Sequence, residues 1–302
     1  LSGLRRISRD DLANYRQALD QTSRICWQQY FPFLYFYYGM SETQDLLIGE
    51  IDGSICTFRL DRRGEKPQLC VYFLPMPMND AVLRRCLERV REFNGSERVM
   101  IYWVDAEDIG LLSGLWQPLR VFPIAQEYLY DPKIYRDLSG KKMRELRHNL
   151  NRIASRNDVE VRPYAPGDVA ACEALLDEWT LQQRGKYDHI SYRRYTTNCL
   201  RHTDLFAPPD LFGKVVLIGG KLRSFGFAGE IRRGLANLFI TYSDARINGL
   251  NRFLIREFML DLEACDLVNS AMADTPGLVA AKESLCPVTK HGMYRVHVGE
   301  NK

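Results

Sequence analysis

The chain has no long hydrophobic run. Its longest uncharged stretch, Ile25 to Ser41, is interrupted by Gln28, Gln29, Pro32 and Gly39, and it falls short of the roughly 20 apolar residues a membrane helix needs. That argues against a spanning segment. The N-terminus carries Arg5, Arg6 and Arg9 with no apolar stretch behind them, unlike a signal peptide. The eight cysteines (Cys26, Cys56, Cys70, Cys86, Cys172, Cys199, Cys265 and Cys286) form no C-x-x-C pair and no metal-ligand spacing. No metal site is expected, and the thiols read as buried and reduced in a cytoplasmic protein. Neither a Gly-x-Ser-x-Gly element nor a Cys-His arrangement marks a covalent nucleophile, so any group transfer is expected to be direct. A net charge of +3 is too small to imply a partner by itself.

What is present is an ordinary globular composition, 46% hydrophobic and 26% charged, over 302 residues, which favours two domains or a duplicated one. Hydrophobic spacing predicts a helix from Asp10 to Asp20 and strands at Leu46–Ile51 and Ser54–Leu60 around an Asp52-Gly53 turn. A strand at Gln68–Leu74, a helix capped by Asn79, a strand at Val99–Val104, a helix at Glu107–Leu115 and a strand at Ile124–Tyr130 follow. The second half repeats that order. It has a strand at Val159–Tyr164, a helix from Asp168, a hairpin around Gly219-Gly220, a strand at Leu235–Tyr242 and a helix at Leu250–Glu263. Leu267–Ser270, a helix from Pro276 and a strand at Met293–Val298 close it. Helix, antiparallel strands, helix, strand, helix, strand, met twice, predicts an α/β fold with a mixed sheet in each lobe. The lobes are read as residues 1–132 and 158–302, joined by a basic helix over 133–157. The early aromatics from Trp27 to Tyr38 are read as core, and His189, His202, His291 and His297 as structural.

Between Lys133 and Arg156 stand eight Lys or Arg against two acidic residues. On a helical wheel Met143, Leu146, Leu150 and Ile153 form an apolar stripe. Lys141, Arg144, His148, Asn151 and Arg152 fall opposite, with Lys142, Arg147 and Asn149 on the flanks. A merely solvated face usually mixes its signs, so this excess reads as a surface for phosphate, on an RNA backbone or an anionic lipid head group.

Tyr128-Leu-Tyr-Asp131, Leu138-Ser-Gly-Lys-Lys142 and Arg147-His-Asn-Leu-Asn151 resemble, in register, the signature of the phosphatidylglycerol lysyltransferase C-terminal-like group of bacterial proteins. That signature runs Asp-Tyr-x-Tyr-Asp, Leu-x-Gly-Lys-Lys, Arg-Asn-x-Ile-Asn, and His148 departs from it. Phe33-Leu34-Tyr35 is similar to an element near that group's N-terminus, and Asn269, Asp274, Gly277, Leu278, Lys282 and Pro287 are similar to its closing pattern. The resemblance implies two tandem acetyltransferase-like (GNAT-like) lobes and transfer of an aminoacyl group from aminoacyl-tRNA to a lipid hydroxyl or another small nucleophile. It implies tRNA as partner, an anionic phospholipid or small molecule as acceptor, no bound cofactor, and peripheral contact with the inner membrane face if the acceptor is a lipid.

Acyl transfer needs a deprotonated acceptor, a stabilised oxyanion and a grip on a polyanionic donor. Arg246-Ile-Asn-Gly249-Leu-Asn251 resembles the acetyltransferase phosphate loop, with Asn251 in place of its small last residue, which keeps a coenzyme A thioester as an alternative donor. Asp244 and Asp274 are candidates to hold an ammonium group or act as base, with a turn or cap role for Asp244 as the alternative; Glu230 either faces the same cleft or only pairs with Arg232, and Lys282 either meets a phosphate or oxyanion or is a surface lysine. For Asp274 a helix-capping role, shared with Thr275 before Pro276, stands beside that one. Lys141, Lys142, Arg147, His148, Asn151, Arg246, Gly249 and Asn251 are the candidate phosphate-binding set. A third reading is a non-catalytic module that binds RNA or anionic membrane through the basic helix.

Overall fold

Asp52 and Gly53 adopt φ of 47° and 78°, the pair of left-handed residues that lets a two-residue turn follow strand twist. In the computed structural model, which describes residues 2–115, 118–182 and 192–299, they join β1 (Gln44–Ile51) to β2 (Ser54–Asp61), with Ile51 opposite Ser54. Helix α1 (Leu12–Asp20) precedes this hairpin, and β3 (Gln68–Met76) pairs antiparallel with β2. Asn79 Oδ1 accepts the Val82 N–H at 3.2 Å and starts α2 (Asp80–Asn94). The face carrying Val82, Leu83, Cys86, Leu87 and Val90 is buried. Strand β4 (Val99–Asp105) then runs parallel to β3, followed by α3 (Ala106–Leu115) and β5 (Leu119–Tyr130). The aromatics between Trp27 and Tyr38 are mostly core. Trp27 and Phe33 rings lie 4.8 Å apart, and the Tyr38 hydroxyl donates to that of Tyr72 at 3.1 Å.

The basic segment is not one helix. A single turn, Ile134–Asp137, ends at Leu138 with φ 49°, and Gly140 follows at φ 88°. Helix α4 (Arg144–Ala154) begins only after that left-handed kink. Met143, Leu146, Leu150 and Ile153 are all buried, as the wheel predicts. Next come β6 (Val159–Pro163), α5 (Val169–Gln182) and α6 (Tyr192–Arg201), the last not anticipated from sequence. Strands β7 (Phe212–Ile218) and β8 (Lys221–Arg232) meet at Gly219-Gly220, followed by β9 (Leu235–Ser243) and α7 (Leu250–Asp261). Strand β10 (Leu267–Met272) and α8 (Pro276–Glu283) complete the set. The sheet runs β6-β7-β8-β9-β10, antiparallel until the last pair, which is parallel.

Strand β11 (Thr289–Val298) returns to the start of the chain's fold and pairs antiparallel with β4, from Met293 opposite Asp105 to Val298 opposite Val99. The chain therefore divides into a first unit, Leu1–Glu127 with His291–Lys302, and a second, Tyr128–Lys290. The expected boundaries at 132 and 157 fall elsewhere because the pairing of β11 with β4 leaves no local mark. The basic segment lies wholly within the second unit. Each unit carries the predicted mixed sheet, antiparallel strands followed by one parallel pair.

His291 has a partner that sequence could not suggest: its Nε2 lies 3.4 Å from Asp105 Oδ2, an ion-pair distance, and both residues are buried. Burial opposes the charged ring, but the Asp105 carboxylate, helped by Glu127 and Glu107, raises its pKa above 6.5. A raised native pKa stabilises the fold below the unfolded value, and that contribution is lost as pH rises through the native value. His291→Gln is therefore expected to flatten the fall in Tm from mildly acidic to mildly alkaline pH. Parallel Tm–pH curves for the two proteins would refute the pairing. His202 is exposed, and His189 lies outside the described residues.

Candidate functional site

Strands β9 and β10 pair only at their starts, Leu235 with Leu267, Ala236 with Val268 and Asn237 with Asn269. Among the described residues no further pair joins them, although β9 runs on to Ser243 and β10 to Met272. A register shift against β8 between Leu238 and Ile240 marks a bulge in β9, and an extra residue bends a strand. The strands part into a wedge of about 410 Å³ whose lining includes Trp179, Asp244, Asn251, Arg252, Ser270 and Lys282.

The first unit has the same parallel pair, β3 with β4, but its chain fills the place where the strands part. Arg24 Nη1 donates to Leu74 O at 2.8 Å and Pro75 O at 3.2 Å, beyond the last β3–β4 pair at Phe73 and Trp103, and Arg24 Nε meets Asp108 Oδ2 at 2.9 Å. The Arg24 side chain is only 6% exposed. The second unit therefore holds the open wedge.

Asp244 is buried at the end of β9, and its carboxylate is spoken for. Arg246 donates to it through Nε and Nη2, both at 2.8 Å, and Arg223 through Nη1 at 3.0 Å. The Arg246 hydrogen bond, against the cost of burial and with Arg223 assisting, holds its pKa below the usual carboxylate range. Such a group is a poor general base, and its evident work is to clamp Arg246. Arg246 also meets Glu178 at 2.7 Å. Gly249 follows at φ 88° and begins α7. A Cβ there would lie 3.2 Å from Asn149 O and 3.4 Å from Arg152 Nη2. Arg152 in turn donates to Asn248 O at 2.6 Å, so the basic helix α4 braces the loop at the wedge. Asn251 accepts from Ser243 Oγ at 3.3 Å.

Lys282 is neither a surface lysine nor a free cation. Its residue is 9% exposed, and Nζ donates to Ser270 Oγ at 3.0 Å, Ala271 O at 3.3 Å and Ser270 O, while lying 5.8 Å from the Tyr128 ring centroid. It ties α8 to the diverging end of β10 and lines the wedge. Asp274 is exposed and does not line it; the cap of α8 is Thr275, whose hydroxyl accepts the Leu278 N–H at 3.3 Å. Glu230 is also misplaced. It faces Ala236, whereas Ser224 of the same strand faces Ser243, and six residues of strand span roughly 20 Å.

Arg147 is spent on structure, donating to Leu138 O and, at 3.0 Å, to Gly140 O. Through Nη1 it fastens the left-handed kink. Lys141 and Lys142 are exposed and, with Lys133, line a second cavity of about 790 Å³. His148 and Asn151 are exposed on α4, the helix whose Arg152 holds Asn248 O. Among the described residues no three of His, Cys, Asp and Glu gather to hold a metal ion, and no helix is long and apolar enough to cross a membrane. All eight cysteines are free thiols, seven of them buried.

The family profile described as phosphatidylglycerol lysyltransferase, C-terminal, matches residues 46–298. No curated protein matches the chain by sequence. Among solved structures, a conserved protein of unknown function from Bacteroides thetaiotaomicron superposes with a TM-score of 0.82 at 21% identity, over 98% of this chain and 99% of that one. L-PGS from Bacillus licheniformis gives 0.68 at 18% identity, over 96% and 92%. A tandem GNAT protein from the clavulanic acid biosynthesis pathway gives 0.50 at 10%, over 99% of each chain. At these identities the likeness is one of fold, and the fold is the tandem GNAT-like one expected.

Proposed function

Because the chain belongs to the phosphatidylglycerol lysyltransferase C-terminal family, and so to the acyl- and aminoacyl-transferring enzymes, we propose that it moves an aminoacyl group from aminoacyl-tRNA to a phospholipid head group or another small hydroxyl or amine. The observation that carries this reading is the junction of wedge and basic helix: α4 braces the Asn248–Gly249 loop through the exposed Arg152, so the cationic segment that also carries Lys141 and Lys142 meets the loop of the open wedge. A polyanionic donor suits that junction, with its reactive ester in the wedge.

In the step proposed, an acceptor oxygen or nitrogen attacks the ester carbonyl. The bond to the tRNA ribose oxygen breaks, and the acceptor's proton ends on that oxygen. Among the described residues Asp244 is the one carboxylate lining the wedge, and its two arginines keep it from acting as base. The protein's contribution is therefore positioning, with the Lys282 charge close to the parting strands to favour negative charge on the carbonyl oxygen.

The test is transfer of radiolabelled amino acids from charged total tRNA into a bacterial lipid extract, compared with the double variant Lys141→Ala/Lys142→Ala. These two exposed lysines make a better probe than Arg147, whose loss would disturb the kink. Donor affinity is expected to fall, and its dependence on log salt to weaken by about 0.7–0.9 for each phosphate charge the variant no longer neutralises. No transfer by the parent enzyme, together with saturable binding of acetyl-coenzyme A, would replace this reading with a coenzyme A-dependent one.

A further inference from the structure

A second cluster of positive charge lies on the first unit, on the sheet face opposite the one that packs on α2. The register aligns Arg59 of β2 with Cys70 of β3, and His297 of β11 with Met100 of β4. These residues, with Arg98 and Asp61, line a cavity of about 270 Å³. The small Cys70 side chain leaves room for the Arg59 guanidinium to reach the Tyr102 ring, 4.7 Å from its centroid, and the Arg295 guanidinium lies 4.6 Å from the same centroid.

Donors outnumber acceptors here. Arg98 Nε donates to His297 Nδ1 at 2.8 Å. Burial, then Arg98, Arg295 and Arg120, hold the His297 pKa below its usual value, so the ring is neutral near pH 7 and carries its proton on Nε2. That Nε2, Arg59 Nε and Arg295 Nε are all buried with no hydrogen-bond partner among the described residues. Asp61 is, among the described residues, the one carboxylate lining the cavity, and Arg59 Nη2 at 2.6 Å and Arg63 already engage it. Buried donors facing no acceptor are costly, and one guanidinium arm, one imidazole N–H and a neighbouring exposed arginine match an anion with several oxygens.

We propose that this cavity binds a phosphoryl group, held by Arg59, Arg98 and His297. Three donor groups from different strands and their ends suit the three oxygens of a phosphate better than the two coplanar oxygens of a carboxylate. Beside it, the Phe122 ring lies 5.0 Å from that of His297 and is 43% exposed, next to exposed Val121. The phosphoryl group therefore has two sources, free phosphate and a phospholipid. The inference does not depend on the transfer reaction proposed above.

The experiment follows the His297 ring resonances of the full chain by NMR while inorganic phosphate is added, with chloride at equal ionic strength as the blank. Saturable shifts are expected with phosphate and not with chloride. Arg98→Gln, at an exposed position, is expected to weaken binding by tenfold or more, and Arg59→Lys to do so while keeping the charge. Cosedimentation with phosphatidylglycerol vesicles, reversed by inorganic phosphate and reduced in Arg98→Gln, would assign the group to a lipid. Phosphate binding without cosedimentation would assign it to a soluble phosphate. If neither phosphate nor vesicles moves the resonances, or if Arg98→Gln binds like the parent, the proposal is wrong.

Discussion

Gly249→Val is expected to lower the transfer rate roughly 100-fold while leaving the folded state intact by circular dichroism. Gly249 sits at φ 88°, where a β-branched residue is strained by about 1–3 kcal/mol. The added side chain would also press on Asn149 O and Arg152 Nη2, at 3.2 and 3.4 Å from the Cβ alone. Relief must come from the loop or from α4, and either movement shifts the wedge mouth against the basic helix. A displacement of about 1 Å at a site that works by positioning costs on the order of 100-fold. The loss should appear in kcat as well as in donor affinity, since the loop forms part of the wedge lining. A variant with parent-like kcat and KM would show that the wedge does not hold the reacting ester.

Arg24→Met is expected to destabilise the first unit by about 3–5 kcal/mol, the range for breaking a buried ion pair from one side. Three acceptors lose their donor at once, Leu74 O, Pro75 O and the Asp108 carboxylate. Burial already raises the Asp108 pKa, with Arg24 pulling the other way, so removing Arg24 raises it further and leaves the buried carboxylate without its counter-charge. Asp108→Asn in the same chain should recover part of the loss, because the stranded charge goes with it. Urea midpoints of the parent, both single variants and the double would read this directly. A loss under about 1 kcal/mol in Arg24→Met, well below the buried-pair range, would mean that the arginine is not what closes the first unit's strand gap.

Local chemistry made much of this fold legible. The Asp52-Gly53 and Gly219-Gly220 turns, the Asn79 cap and the Met143–Ile153 stripe each depend on residues a few positions apart, and each stands where the sequence puts it. The site was legible in part. Asp244, Gly249, Asn251 and Lys282 do line one wedge, because they follow one another along a strand, a loop and two helices. Glu230 was misread because residues at opposite ends of one strand carry the same local pattern. The structural role of Arg147 was not legible, because nothing in a helical wheel shows that Leu138 and Gly140 turn their carbonyls toward it. The Arg24 closure and the His291–Asp105 pair join residues far apart in sequence, and such pairings have no periodicity to betray them.

The return of β11 to β4 also sets an order of events during synthesis. The edge of β4 must wait for a partner about 190 residues downstream, and at about 5–20 residues per second a ribosome takes roughly 10–40 s to supply it. While the second unit is being made, the first offers an unpaired, largely apolar strand edge, the surface on which chains pair wrongly with one another. The part of the molecule made first is thus the last to finish, and its exposure is governed by the speed of translation.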